Sequence, residues 1–527
     1  MTTNARRYKF SISIHRDRLN LTKSRNLTLI IMAISEVLIY IVLALVSPLV
    51  YFIRQHMTYW KRRGIPHDPP DFPSGNLKGV KKTHHLRDLT RANYEKYKHS
   101  GPFGGFYFFL KQAVIVYDLD LAKNILIRDF HNFTDRTIFH NERDDPLTGH
   151  LFAVEGQKWK HLRNKLTPTF SSGKIKGMFP IVLSVGDRLI EAFDNLVEKD
   201  SIVEVKDILA RFTVDVIGNC AFGLECNSLK DPHAEFRIMG TKAFTQPRHN
   251  KLLDMFIFSF PKLAKTLRMR QIHEEVHQFY MRVTRETVEF REKNSVKRND
   301  FMNLLIDLKN SEEGMTMDEI AAQSFVFFLA GFETSSTTIG IALFELALNQ
   351  EIQDRLRAEI NTQFDKNAGK LTYDSMAEMH YMDMVMKETL RKHSVATNLI
   401  RKALNDYPTS NPKYVIPKGI TVMIPADSIH RDPEIYPDPE KFDPERFSPE
   451  ETQKRHPLTW LPFGEGPRNC IGLRFGKMQT YIGLSLLLRN YKFHYCDKTP
   501  NPLQPDVTNL VYSAKGGIFL RVERIKL

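Results

Sequence analysis

The chain has 527 residues, of which 42% are hydrophobic and 11% aromatic, and this composition excludes a disordered or fibrous protein. Its four cysteines, Cys220, Cys226, Cys470 and Cys496, are too few for a disulfide framework, and no C-x-x-C pair indicates structural zinc. The formal net charge is +14, of which +6 falls in residues 1–31. Because no long basic block follows, nucleic-acid binding is not predicted, and a basic docking surface for an acidic protein or a membrane fits better.

Residues 27–53 form a strongly apolar segment that is long enough to cross a bilayer. A core helix or a cleaved signal peptide would have the same composition. A basic cluster and then several prolines follow it, which favours an uncleaved anchor that holds a domain close to the membrane. The predicted organisation is a basic extension (1–31), a membrane anchor (32–53), a basic and proline-rich hinge (54–79) and a single catalytic domain (80–527).

The catalytic domain is predicted to be mainly α with a smaller β portion. Short alternating apolar runs such as 113–117 occur over 80–130, helical patterns dominate from about 150 to 400, and short strands return after 400. The longest helix is expected over about 318–350, where Thr316 and Glu319 have the spacing of a capping box. Its middle, 330–335, reads Ala-Gly-Phe-Glu-Thr-Ser. Taken alone, this polar interruption is either a tolerated kink or a functional site.

The strongest signal lies at 463–472, which reads Phe-Gly-Glu-Gly-Pro-Arg-Asn-Cys-Ile-Gly. The glycines, Gly464 among them, permit a tight loop whose backbone N–H groups can point at the sulfur of Cys470. Arg468 adds a positive charge, and a helical pattern resumes after Cys470, so a helix N-terminus is expected to face the sulfur. These features favour a thiolate, whereas a lone buried cysteine is more often an inert small hydrophobe.

This stretch resembles the haem-binding loop of the cytochromes P450, and the resemblance extends from about residue 60 to 527. It implies a cytochrome P450 fold and haem b as cofactor, with Phe463, Gly464 and Cys470 against it. The metal ligand would be the Cys470 thiolate, which favours O–O cleavage.

A second motif of the same family concerns the edge of the haem. Trp159 and Arg163 match its W-x-x-x-R and lie one helical turn apart. The resemblance implies that Arg163 pairs with one haem propionate and Arg468 with the other. Standing alone, the motif would be an ordinary amphipathic helix.

A third motif is structural. Glu388 and Arg391 match the family's E-x-x-R, and the resemblance implies a buried ion pair completed by Arg446 from a later loop. Such a network is costly to break, so it would hold the haem-side core in place. Without the other motifs, an E-x-x-R is usually a solvated ion pair.

The fourth motif is the polar interruption at 330–335, which matches the family's A/G-G-x-D/E-T-T/S in the helix above the haem. The resemblance implies that Glu333 and Thr334 are catalytic and deliver protons through water to bound dioxygen. Gly331 would let the helix open locally for the oxygen. Phe325, Phe328, Leu329, Val395 and Val511 are predicted to face the substrate, although a phenylalanine stripe is more often plain core.

Residues 145–152, 165–170 and 213–218 are similar to the insect microsomal family six. One departure concerns the substrate side: after Arg391 the family has two prolines in a Y-P-P-like run, whereas this chain reads Lys-His-Ser-Val-Ala. Residues 252–260 are apolar, and they either contact the membrane beside a substrate entrance or form a core helix.

The predicted activity is that of a monooxygenase that inserts one oxygen atom of dioxygen into an apolar small molecule. Electrons would come from NADPH through a membrane reductase that docks on the basic face around Cys470, with cytochrome b5 as a second candidate partner. Xenobiotics such as insecticides, or hormones and lipids, are the expected substrates. A haem-thiolate isomerase and a haem-binding sensor or carrier remain alternatives, but neither needs Glu333 and Thr334.

The first 31 residues conflict with a location at the endoplasmic reticulum membrane with a cytosolic catalytic domain. Seven Lys/Arg precede the apolar segment and four follow it closely, so the positive-inside rule would place the domain in the lumen, away from its reductase. Glu36 would also lie within the span, where a carboxylate is costly. We therefore expect that Met32 is the working start or that the extension is removed. An Arg-rich mitochondrial presequence is the alternative.

Overall fold

The computed structural model describes residues 3–312, 314–509 and 511–526, with side chains for Lys23 and from residue 25 onward. The chain divides into two compact units, Met1–Arg63 and Gly64–Leu527. The first unit contains α1 (Thr3–Met57) and α2 (Tyr59–Arg62).

Helix α1 contains the predicted anchor. Its part from Arg25 to Met57 is long and apolar enough to cross a membrane, and none of its most apolar window is buried. Pro48 lies inside the helix, and Arg54 and His56 lie in its last turn. Because a helix that is apolar on all sides is stable in lipid rather than in water, its exposure is consistent with an anchor.

The second unit is mainly helical, as predicted from the sequence. Its α-helices are α3 (Leu86–Tyr97), α4 (Leu119–Lys123), α5 (Gly156–Leu166), α6 (Ser172–Val197), α7 (Val205–Ile217), α8 (Glu235–Thr245), α9 (Lys251–Ser259), α10 (Pro261–Thr266), α11 (Glu274–Asn294), α12 (Phe301–Lys309), α13 (Met317–Leu348), α14 (Gln350–Lys366), α15 (His380–Lys392), α16 (Ala426–His430), α17 (Pro449–Gln453) and α18 (Leu473–Asn490).

Three small sheets make up the β portion. The strands are β1 (Phe103–Phe108), β2 (Lys111–Val116), β3 (Ile202–Glu204), β4 (Leu399–Lys402), β5 (Tyr407–Pro408), β6 (Val415–Ile416), β7 (Thr421–Ile424), β8 (Tyr491–Tyr495) and β9 (Phe519–Arg524). The sheet orders are β1-β2-β7-β4, β3-β9-β8 and β5-β6. Strand β2 runs antiparallel to β1 and parallel to β7, so the first sheet joins the two ends of the domain.

Residues 64–79 belong to the second unit rather than to the hinge predicted over 54–79. His67 forms a β-bridge with Gly105, and Gly75 forms one with Phe108. These residues thus extend along the edge of the first sheet. A proline-rich composition alone does not distinguish a free spacer from an extended segment that lies against a sheet.

The core of the domain is built around α13. The predicted capping box is confirmed, because Thr316 Oγ1 accepts from the Glu319 N–H group and the Glu319 carboxylate accepts from the Thr316 N–H group. The helix is mostly buried and packs along α7, where Thr213 Oγ1 donates to the Phe332 carbonyl at 2.9 Å. It resembles a membrane span in length and composition, but 67% of its most apolar window is buried, as expected of a core helix.

The structure gives Gly331 a different role from the predicted local opening. The helix is a continuous α-helix from Met317 to Leu348. A Cβ atom at Gly331 would overlap the side chain of Ile217 on α7. The glycine therefore permits the close packing of α13 on α7, and this contact offsets its low helix propensity.

The apolar segment at 252–260 is not a core helix. Helix α9 buries Ile257 but leaves Leu252 66% and Leu253 42% exposed, and Leu263 on α10 is 48% exposed. An apolar surface of this kind on a globular unit indicates a contact with a membrane or another protein.

The predicted E-x-x-R network is confirmed as buried. Arg391 donates to both oxygens of Glu388, at 2.7 and 2.9 Å, and neither side chain is exposed. The Asp443 N–H group donates to Glu388 at 2.8 Å, and Arg446 Nε lies 3.6 Å from the same carboxylate. Arg391 also donates to the His430 carbonyl. Helix α15 is thus tied to two later segments of the chain.

We expect Glu388→Ala to lower the free energy of unfolding by about 3–5 kcal/mol, because it leaves the Arg391 guanidinium buried without its counter-charge. Yield of folded protein and thermal unfolding would measure this loss. Glu286→Ala is the matched control, since its pair with Arg282 on α11 is exposed and should contribute under about 1 kcal/mol. Equal behaviour of the two variants would contradict the structural role of Glu388.

Candidate active site

The loop before Cys470 is shaped by its own backbone. The Gly464 N–H group donates to the Leu461 carbonyl at 3.0 Å, and the Cys470 N–H group donates to the Phe463 carbonyl at 2.8 Å. Gly464 has a φ of +68°, in the left-handed region that favours glycine. Phe463, Gly464 and Cys470, which were predicted to lie together, are therefore brought together.

Opposing effects act on the pKa of the Cys470 thiol. It is exposed, in contrast to the other three cysteines, yet desolvation raises the pKa of its thiol above its ordinary value. The Gly472 N–H group and the positive charges of Arg163 and Arg136 act in the opposite direction. Desolvation is the largest of these effects, and a bound metal ion would favour the thiolate.

Arg468, which was predicted to supply the charge that favours the thiolate, has its guanidinium bound to backbone. It donates to the carbonyls of Thr134, Leu151 and Val154. It also lies over the ring of Trp159, 4.1 Å from the ring centroid. Arg163 takes the predicted place of Arg468, because it donates to both oxygens of Asn469, the residue before the cysteine.

Four arginines form a cationic cluster in this region: Arg136, Arg163, Arg401 and Arg468. Arg136 donates to the Arg468 carbonyl at 2.7 Å. Nε of Arg401 is buried and has no hydrogen-bond partner among the described residues. Burial and then the charge of Arg401 lower the pKa of Arg468 to about 9, and burial lowers the pKa of Arg401 to about 10. Such shifts indicate cations that lack a close counter-charge.

The cluster fits the two carboxylates of a haem. Two of its members act on the sulfur of Cys470, so the cationic groups and the sulfur belong to one site. Sequence reasoning found Arg163 and Arg468 but missed Arg136 and Arg401. Neither missed residue belongs to a motif, and the only signal for Arg401 is an arginine within the short apolar strand β4.

On α13, Glu333 and Thr334 have separate partners. The Glu333 carboxylate lies 3.2 Å from Lys206 Nζ and accepts from Thr337 Oγ1 at 3.3 Å. Thr334 Oγ1 donates to the Ala330 carbonyl at 2.6 Å, one turn before it. The carboxylate is therefore held by a partly exposed cation, whereas the hydroxyl oxygen of Thr334 keeps its acceptor capacity.

Helix α18, which begins just behind Cys470, contacts the middle of α13. Gln479 on α18 donates to the Gly331 carbonyl at 3.3 Å. Glu333 also lines a cavity of about 130 Å³. The other residues around the cavity are Thr241, Phe244, Thr245, Phe332, Asn509 and Val511.

The prediction of substrate-facing residues was partly wrong. Phe325 and Phe328 are core residues, since both are fully buried and pack against Tyr280 with ring centroids 5.0 and 5.5 Å away. They lie on the side of α13 that packs against α11. Val511 does line the cavity, and the Val395 carbonyl accepts from the Tyr512 N–H group.

Comparison with known proteins shows which family this chain belongs to. The model of the cytochrome P450 family matches residues 66–521. The chain is 52% identical over 499 residues to probable cytochrome P450 6a20 of Drosophila melanogaster, covering 93% of this chain and 100% of that relative. It is 50% identical over 499 residues to cytochrome P450 6A1 of Musca domestica, covering 93% and 98%. The chain belongs to the cytochrome P450 family.

This cytochrome P450 is a haem-thiolate monooxygenase that uses dioxygen and receives NADPH-derived electrons through a reductase, as the sequence predicted. The fold prediction is confirmed as well. The site accounts for the cofactor, since one loop supplies a cysteine and the surrounding elements supply cations for two carboxylates. An apolar helix near the N-terminus accords with membrane anchoring.

We expect Cys470→Ser to abolish the thiolate-type absorption of the reduced carbon monoxide complex, because a serine alkoxide does not form near neutral pH. Cys496→Ser is the control: Cys496 donates its S–H to the Phe519 carbonyl at 3.2 Å, a contact that a serine hydroxyl reproduces. That variant should keep the absorption in full. A thiolate-type spectrum in Cys470→Ser would contradict the assignment of Cys470 as the iron ligand.

Proposed function

We propose that this cytochrome P450 hydroxylates apolar xenobiotics, including insecticides, and that Cys470 would hold the haem iron. When bound, the haem supplies the dioxygen activation and the oxidation itself. The observation that carries the proposal is the loop of Cys470 beside a cluster of four arginines, of which Arg401 and Arg468 are buried. Substrate-induced spectral shifts across a panel of insecticides, plant toxins, steroids and fatty acids would test the substrate class. Shifts confined to steroids or fatty acids would overturn it.

Glu333 and Thr334 are proposed to deliver the protons that the reaction consumes. Lys206 is partly exposed and holds the Glu333 carboxylate, so the acid lies between solvent and the interior of the domain. If the Glu333 carboxylate takes up a proton from solvent, its movement away from Lys206 would carry that proton inward, to water at the Thr334 hydroxyl. An isomerase or a haem carrier needs no such pair, so its presence supports the monooxygenase.

We expect Thr334→Ala to keep haem and substrate binding but to lower the product formed per NADPH consumed, by about tenfold or more, with a matching rise in hydrogen peroxide. Thr334→Ser retains the hydroxyl and should restore most of the coupling. Thr338→Ala is the structural control, because Thr338 makes the same bond to the carbonyl one turn before it. Unchanged coupling in Thr334→Ala would exclude the relay role.

The reductase is proposed to dock on the basic surface around Cys470, and cytochrome b5 is proposed as a second electron donor at the same surface. Both are acidic partners in this proposal, so electron transfer should weaken as ionic strength rises.

We further propose that residues 32–53 anchor the protein in the endoplasmic reticulum membrane and that the catalytic domain is cytosolic. The exposed apolar residues of α9 and α10 support a second contact with the same membrane.

N-terminal sequencing of the natural protein and protease treatment of intact microsomes would check this topology. We expect a start at or beyond Met32 and a catalytic domain that protease digests from the cytosolic side. An intact 1–31 segment on a microsomal protein with a cytosolic domain would contradict the charge argument. Recovery in mitochondria would favour the presequence instead.

A further inference from the structure

A chain of hydrogen bonds runs from the end of α15 to the start of the cysteine loop. The Leu461 N–H group donates to Nε2 of His430 at 2.7 Å. Nδ1 of His430 lies 2.7 Å from Oγ of Ser394, and the Ser394 hydroxyl donates to the Leu390 carbonyl at 3.3 Å. Ser394 and His430 are both completely buried, so water does not compete for these bonds.

The position of each proton in these hydrogen bonds follows from the two backbone groups at their ends, the Leu461 N–H group and the Leu390 carbonyl. A backbone N–H group can only donate, so Nε2 of His430 accepts and carries no proton. Burial lowers the pKa of His430 to about 3, so the ring is neutral and its one proton is on Nδ1. Nδ1–H therefore donates to Ser394 Oγ, whose own hydrogen is directed to Leu390.

The chain ends where the cysteine loop begins. The Leu461 carbonyl accepts from the Gly464 N–H group, and the Phe463 carbonyl accepts from the Cys470 N–H group. An anchor on the Leu461 amide thus fixes the first turn of the loop that carries the sulfur.

We propose that Ser394 is a positioning residue for the cysteine loop, acting through His430 on the Leu461 amide. The inference rests on the proposed role of Cys470 as the iron ligand. It also gives a function to the run after Arg391, where this chain departs from the family's two prolines. A proline side chain has no polar atom, so it could not accept the His430 Nδ1–H.

The test compares Ser394→Ala with Ser428→Ala in the full-length, membrane-bound holoenzyme. Ser428 lies on the same helix as His430 and is equally buried, but its hydroxyl has no partner among the described residues. The measurement is the rate at which the thiolate-type absorption of the reduced carbon monoxide complex converts to the thiol type at a fixed, mild temperature.

We expect conversion to be roughly 5- to 100-fold faster in Ser394→Ala, because the His430 Nδ1–H loses the Ser394 oxygen at 2.7 Å and keeps only a weaker contact with the Leu390 carbonyl. In Ser428→Ala the rate should stay within about twofold of the unmodified enzyme. Equal rates in the two variants would overturn the proposal. So would a loss of global unfolding stability, followed by circular dichroism, that fully accounts for the faster conversion.

A double-mutant cycle with His430→Gln tests whether Ser394 acts through His430. Glutamine offers an oxygen in the place of Nε2 to the Leu461 N–H group, but it has no atom equivalent to the Nδ1–H of histidine. In that background Ser394→Ala should add less than about a twofold change, whereas an undiminished effect would overturn the proposal. If Ser394→Ala lowers the yield of folded protein, the four proteins of the cycle are compared by their haem content per protein instead of by the conversion rate. An unmodified enzyme without thiolate-type absorption would contradict the role of Cys470 instead.

Discussion

Four guanidinium groups, those of Arg136, Arg163, Arg401 and Arg468, lie in one cluster and form no salt bridge among the described residues, although the charges of Asp135 and Glu155 act on Arg468. Burial of unpaired cations is unfavourable. Backbone carbonyls accept hydrogen bonds from Arg468 and so reduce this unfavourable free energy, but they do not neutralise its charge. A ligand with two carboxylates offsets the cost on binding, so the stability of the domain is coupled to its cofactor. Two of these cations, Arg136 and Arg163, also act on Cys470, where metal binding would favour loss of the thiol proton.

The remaining elements keep this arrangement in place. Helix α13 supplies Glu333 and Thr334, and its position is set by packing against α7 at Gly331 and by the contact of α18 at Gln479. Helix α18 begins at Leu473, three residues after Cys470, and it therefore links the cysteine loop to α13. The buried Glu388–Arg391 pair ties α15 to later loops. A small shift in one of these elements would therefore reach both sides of the site.

Much of the site was predictable because chemistry restricts a few positions to a few residue types. The cysteine loop and the capping box of α13 were found from local patterns, whereas the burial of the Glu388–Arg391 pair was predicted from the resemblance to the family. Arg136 and Arg401 were missed, since their function depends on where distant segments meet. The assignment of Phe325 and Phe328 to the substrate side was wrong for a related reason: both faces of α13 are apolar, and periodicity cannot tell which one packs against α11.

The run after Arg391 shows how a missing sequence feature can be replaced by contacts that the sequence alone does not reveal. Two prolines would restrict the backbone directly. In this chain, His393 Nε2 donates to the buried Glu345 on α13 at 2.6 Å, and Lys392 Nζ lies 2.9 Å from the same carboxylate. Ser394 is bonded to His430 on the other side. The adjacent residues His393 and Ser394 thus join α13 to the segment that precedes the cysteine loop. Their side-chain hydrogen bonds restrain the chain where the family's two prolines would restrain it through their rings. Because such bonds are directional, this restraint specifies the distance between the two sides and not only the local backbone angle.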